Sequence, residues 1–433
     1  MSGSLPCDWK VVYPDDVVTG KRSIVSGPFG SNIGQRFFVE TGIPVIRGNN
    51  LTLGKKRFVD NGFVFLTEEK AKEFKNCQAL AGDIVFTAAG TLGQVGIIPQ
   101  NAKFPVYIIS NKQLRLRPDP SIAHPEYLYY WFSSENVRDY IIGLNTGSSV
   151  PLITLGKLRS VPINLPPLPT QQKIAAILSA YDDLIENNTR RIKILEEMAQ
   201  AIYREWFVNF RFPGHEGVRM VESELGLVPE GWEVVRLSTI AEINTDSIKR
   251  GQEPERIGYI DISSVATGSI DKIEWMKFLD APGRARRIVN HGDMIWSTVR
   301  PNRKSYCLIL NPEPNTIVST GFAVIRGNKI PYSYLYQNLT TDDFVSYLTN
   351  NATGAAYPAV KTDDFEKAKI IRPDDTLLEK FHEIVEPILE IKFNLSQKNA
   401  NLRRTRDLLL PKLISGEFDV SELEIFIPEV MET

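Results

Sequence analysis

Two stretches of the chain carry side chains suited to phosphates and to the edges of bases. In residues 284–304, Arg284, Arg286 and Arg287 are followed by Arg300, Arg303 and Lys304, and Asp293 is the one opposing acid. In residues 42–57, Arg47, Lys55, Lys56 and Arg57 occur with no acid at all. Asn49 and Asn50 are interleaved in the second of these stretches, and Ser297, Thr298 and Asn302 in the first. Arg and Lys neutralise phosphates, while Arg and Asn also form two-pronged hydrogen bonds to guanine and adenine edges in the major groove. A solubilising surface is the bland reading of any one of these residues. As groups, read as equivalent regions of two halves, they point to DNA contact, with base and phosphate contacts left unseparated. The whole chain has 50 Lys+Arg against 52 Asp+Glu, a net charge of −2. Any nucleic-acid surface must therefore be local.

Other constellations give no catalytic centre. There is no GxxxxGK[ST] loop for a nucleoside triphosphate, no GxGxxG, and no Asn- or Asp-Pro-Pro-aromatic tetrad of an amino-methyltransferase. Asp60 with Glu68-Glu69-Lys70 superficially satisfies an acidic–acidic–Lys nuclease pattern, but reads better as a solvated helix start after Thr67. The four histidines (124, 215, 291, 382) lack metal-ligand spacing, and the three cysteines (7, 77, 307) form no CxxC. The expectation is no catalytic residue, no metal, no cofactor and no disulfide framework. With 42% apolar residues the chain is foldable, and no apolar run is long enough for a bilayer. With no leader-like segment at the N-terminus, a reducing cytoplasm fits.

The elements that must position these residues are written twice. Thr146-Gly147-Ser148-Ser149-Val150-Pro151 returns as Thr353-Gly354-Ala355-Ala356-Tyr357-Pro358, and Gly82-Asp83-Ile84-Val85-Phe86 as Gly292-Asp293-Met294-Ile295-Trp296. Trp9-Lys10-Val11-Val12 returns as Trp232-Glu233-Val234-Val235. The offset drifts from 207 to 210 to 223 toward the start of each half, as insertions in loops would produce. Each half has a strand-rich region, with strands expected around Pro44–Arg47, Asp83–Phe86 and Ile317–Ser319, then a Pro-containing hinge and a long helix. The helices carry apolar columns at seven-residue spacing: Ile174, Tyr181, Asn188, Leu195 and Ile202, with a second column at 178, 185, 192, 199 and 206. In the other half the column is Phe381, Ile388, Leu395, Leu402 and Leu409. So strict a repeat asks for a partner helix, with Asn188 fixing register. Pro387 predicts a kink or a late start in the second helix.

The segments Leu165-Pro166-Pro167-Leu168-Pro169, Gln172-Lys173-Ile174-Ala175 and Ile185-Glu186-Asn187-Asn188 resemble the boundary between a recognition domain and the central helix of type I restriction–modification specificity subunits. The stretch from Arg406 to Gly416, the motif Ser26-Gly27-Pro28-Phe29-Gly30-Ser31, and Gly231-Trp232 before Leu237 are similar to other parts of that family. Thr170-Gln171-Gln172 and Pro373-Asp374-Asp375 depart from its usual hinges.

The resemblance implies an α+β chain: two similar α/β target-recognition domains separated by two long antiparallel coiled-coil helices, with a pseudo-twofold internal repeat. The expected boundaries are 1–165 and 213–372 for the domains, 166–212 and 373–420 for the helices, and 421–433 for a tail. It implies a non-catalytic reader of an asymmetric bipartite target in double-stranded DNA. The helices act as a ruler and dock methylation subunits, which bring S-adenosylmethionine, and restriction subunits. A self-sufficient methyltransferase or nuclease is the alternative, disfavoured by the missing motifs. A coiled-coil assembly protein would explain the heptads but not the duplicated basic domains.

Overall fold

The computed structural model describes residues 5–147 and 149–426, so Ser148 of the repeated motif, the first four residues and the end of the expected tail lie outside the described residues. The chain divides into two compact units. Unit 1 holds everything up to Asn187 together with the chain from Lys398 onward, and unit 2 is the continuous stretch Asn188–Gln397.

Each unit contains the same two four-stranded sheets. In unit 1 the first sheet runs in the order 24–26, 113–116, 84–87, 95–97, all antiparallel, and the second in the order 64–66, 43–46, 107–109, 78–79 with one parallel pairing. Unit 2 repeats the pattern as 241–243, 322–327, 294–297, 306–308 and as 274–277, 256–260, 316–319, 285–288, again with one parallel pair. The three strands expected from sequence form in these sheets.

The turn Gly82-Asp83 and its repeat Gly292-Asp293 show why those residues recur. Both glycines have positive φ, +82° and +85°. Both buried carboxylates accept a backbone N–H three residues back, from Leu80 and Asn290, at 2.8 and 2.7 Å. Each then takes a two-pronged bond from an arginine in or just past the neighbouring strand: Arg117 to Asp83 at 2.7 and 2.7 Å, Arg326 to Asp293 at 2.7 and 2.8 Å. Such pairs satisfy a charge that burial would otherwise make costly.

The long helices are Leu168–Tyr203 and Asp375–Ser415. They run antiparallel within each unit. In unit 1 Asp182 meets Arg406 and the Ile185 carbonyl accepts from Asn399 Nδ2 at 3.3 Å. In unit 2 Glu196 meets Lys392 at 2.9 Å, and Tyr203 and Trp206 pack on Phe381. The second helix begins at Asp375 and is continuous through Pro387, so a late start is not found. Pro387 and Glu383 both face solvent, where the carbonyl freed by the missing N–H can be hydrated.

The seam also lies one residue away from one predicted column. Ile174 is buried, but Tyr181, Asn188, Leu195 and Ile202 are only partly so, while Asp182 and Tyr203 are buried. In the second helix Phe381 and Leu395 are buried, and Ile388, Leu402 and Leu409 partly. Its inner line also runs through Lys392, Asn399 and Arg406. A seam carrying charges is invisible to a search for apolar columns. The seven-residue repeat is real: Leu178, Ile185 and Ala199 of the second expected column are buried, and ion pairs share the seam with them.

Candidate nucleic-acid interface

At the end of the strand that follows each Gly-Asp turn, two loops are laced together by backbone hydrogen bonds. In unit 1, Gly90 N–H donates to Pro151 O at 2.9 Å and Ile153 N–H to Ala88 O at 2.8 Å. In unit 2, Arg300 N–H donates to Pro358 O at 2.7 Å and Val360 N–H to Thr298 O at 2.9 Å. Both repeats of the Thr-Gly motif therefore form the second loop of this pair. The backbone is the same, but the side chains differ. Unit 1 offers Ala-Ala-Gly-Thr-Leu-Gly-Gln over residues 88–94, while residues 298–304 of unit 2 offer Thr-Val-Arg-Pro-Asn-Arg-Lys.

The candidate cations separate into committed and available groups. Arg57 is only 17% exposed, and it pairs with Glu126 on the helix at 125–133 and with Asp183 on the first long helix. Burial works against its charge, and Tyr130, Asp183 and Glu126 together outweigh it, raising its pKa. Arg287 is spent on Asn244 Oδ1 and the Phe322 carbonyl, and burial lowers its pKa. Asn50 is fully buried, donating to Val59 O and Asn61 O at 3.0 and 2.9 Å. Ser297 is equally buried and donates to Val299 O. All four side chains are engaged within the fold.

Thr298 donates to Gly321 O, Arg284 pairs with Asp261 at 2.7 Å, Lys304 pairs with Asp342 at 2.7 Å, and Arg286 lies 4.9 Å over the Phe278 ring. Asn49 donates to Gly62 O, and Arg47 is half-buried, its Nε without a partner. Lys55, Lys56, Asn302 and Arg303 are exposed. Arg300 lies 4.5 Å over the Tyr357 ring and donates to Ala356 O at 3.2 Å.

The two basic stretches are not equivalent. Residues 42–57 contain the strand at 43–46 and the turn after it, whose counterpart in unit 2 is the strand at 256–260 and its turn at 262–264. The counterpart of 298–304 is the uncharged loop 88–94. Charge density had suggested a repeat that the sheet topology does not contain.

Residues of the nuclease-like pattern have partners within the fold. Asp60 accepts from Tyr107 Oη and Lys103 N, Lys70 pairs with Glu73, and Thr67 caps the helix at 68–73 by accepting from Lys70 N–H. No group of three or more His, Cys, Asp or Glu among the described residues is arranged to hold a metal, nor is any helix long and apolar enough to cross a membrane.

Sequence reasoning missed Gln171, a departure from the family hinge. It is buried, its Oε1 accepts from His124 N–H at 2.8 Å, and its Nε2 donates to Pro166 O and Ile122 O at 2.8 and 3.3 Å. One amide thus ties hinge, helix start and domain together. Its polar type at a helix start was the available signal. Gln171→Ala leaves at least two backbone groups unpaired and is expected to cost about 2–4 kcal/mol. Chemical denaturation of the purified variant checks this, and a loss below about 1 kcal/mol would remove Gln171 from that role.

Comparison with known proteins agrees with this architecture. Residues 9–197 match the family described as Type I restriction modification DNA specificity domain. The Type I restriction enzyme MjaIX specificity subunit of Methanocaldococcus jannaschii is 28% identical over 97% of this chain and 96% of its own length. The HindI specificity subunit of Haemophilus influenzae is 25% identical over 72% and 81%. The crystal structure of a type I S subunit from M. genitalium shares the fold, with a TM-score of 0.59 at 15% identity over 95% of this chain and 97% of that one. By a domain match, by relatives along nearly its whole length and by fold, the chain is similar to the specificity subunits of type I restriction–modification systems.

Proposed function

We propose that this chain is the non-catalytic DNA-reading subunit of a cytoplasmic type I restriction–modification complex. Each unit reads one half of an asymmetric, interrupted target in double-stranded DNA. One observation carries the reading: a single β-scaffold is built twice with the same backbone lacing, and it presents different side chains from the laced loops. Unlike loops on like scaffolds suit two different half-sites.

The domains are assigned to 1–165 and 213–372 and the helices to 166–212 and 373–420. At 36 and 41 residues the helices of the structure are roughly 54 and 62 Å long. That suffices for half-sites about one DNA turn of ~34 Å apart. The helices also expose large apolar side chains: Leu184 and Leu408 in unit 1, Ile194, Met198 and Ile391 in unit 2. Such side chains support docking of methylation subunits, the carriers of S-adenosylmethionine, and of restriction subunits.

The test is co-expression with the methylation subunit of the same genome, followed by mapping of methylated motifs. One new asymmetric motif with an unread gap is expected, and an assembled complex giving no new methylation would refute the proposal. Replacing residues 1–160 with the equivalent domain of a relative is expected to change one half-site and leave the other. A change in both would exclude one domain per half-site.

A further inference from the structure

The internal repeat supplies a comparison within one chain, since it shows which features of the laced loops were kept and which changed. The backbone lacing is kept. The position that donates to the proline carbonyl has positive φ in both units, +106° at Gly90 and +52° at Arg300. Glycine adopts that conformation freely, whereas an arginine there carries backbone strain. Strain of this kind persists where the side chain is needed in one place.

Three further observations say what the side chain is placed for. The guanidinium carbon lies 4.5 Å from the centre of the Tyr357 ring, which restrains the group, and Tyr357 is itself 69% exposed. One Nη donates to the Ala356 carbonyl, and no acid pairs with the group among the described residues. Arg284, Lys304 and Arg57 are all ion-paired, whereas Arg300 is held by an aromatic ring and a backbone carbonyl instead of an acid. A planar, oriented, unneutralised fork is the shape that bonds both O6 and N7 of a guanine.

Resting on the reading of the chain as a two-unit DNA reader, we infer that Arg300, held by Tyr357, is the specificity-determining residue through which unit 2 recognises a guanine in its half-site. Unit 1, with Gly90 in the same place, reads its half-site by other groups.

The test uses the complex of the full chain with its methylation subunit and two variants, with methylated motifs mapped for each. Arg300→Gly places the residue of the other unit on the same backbone, so the variant is expected to melt no lower than the parent. Arg300→Lys keeps the positive charge and loses the fork. Both variants are expected to methylate the parent motif with one guanine position relaxed, the preference there falling roughly ten- to hundred-fold, and the half-site of unit 1 unchanged.

If Arg300→Lys keeps full discrimination while Arg300→Gly methylates all sites more weakly, the contact is to phosphate and the inference fails. It fails equally if both variants keep the parent motif at full strength. If the parent complex itself yields no bipartite motif, the underlying reading falls and takes the inference with it, an outcome distinct from failure in the variants alone.

Discussion

Asp182→Ala is expected to destabilise unit 1 by about 3–5 kcal/mol, the range for removing one partner of a buried ion pair. Asp182 and Arg406 face each other across the helix seam, each with a side chain only 10% exposed. Asp182 also accepts from Tyr130 Oη at 2.8 Å, and Arg406 reaches the Gly54 carbonyl at 3.3 Å. The alanine variant leaves the arginine buried with its main counter-charge gone, although Asp407 remains beside it. The repeat supplies the rescue. The equivalent positions in unit 2, at the offset of 207, are Leu389 and Ala199, both buried in its apolar core. The double change Asp182→Leu with Arg406→Ala therefore imports a layer the fold already tolerates, and it is expected to recover stability to within about 1 kcal/mol of the parent. Calorimetry measures the cost, and hydrogen exchange of the helix at 125–133 assigns it to unit 1. A single variant as stable as the parent would show that the pair contributes nothing net.

Asp293→Ala is expected to cost a similar 3–5 kcal/mol in unit 2 and to abolish methylation of the bipartite target. Its carboxylate is fully buried, takes both prongs of Arg326 and caps the turn through Asn290 N–H. Removing it releases the turn that starts the strand at 294–297, and that strand carries the loop with Arg300. Asp293→Asn keeps the shape and one acceptor and is expected to lie between parent and alanine. The readouts are thermal melting of the chain and motif mapping of its complex. Normal melting with methylation lost would move Asp293 from the scaffold to the reading surface. Methylation intact despite a large drop in stability would break the link between this turn and the loop.

The sequence shows the duplication because turns impose residue types: a glycine at positive φ followed by a buried aspartate leaves a trace that survives divergence. It shows the helices because the seven-residue period persists. It shows the seam only in part: Leu178, Ile185 and Ala199 of one expected column are buried, but Asp182, Glu196, Lys392 and Arg406 sit where an apolar column would be sought. Nor does it rank the basic residues. Arg57, Arg287 and Arg300 are alike in sequence, yet the first is bound to acids and the second to an asparagine and a carbonyl. Only the third keeps a face of its guanidinium on an exposed ring. Which arginine is spent on the fold depends on long-range pairing that local pattern does not encode.

Unit 1 is assembled from both ends of the chain, whereas unit 2 is continuous. Leu413, Ile414 and Val420 lie in the same apolar cluster as Val17, Ile24 and Ile163. Translation therefore delivers the complete chain of the second unit before that of the first, although the first is begun earlier. A nonsense mutation shortly after Gln397 would spare the unit encoded beside it and cripple the one encoded at the start of the gene.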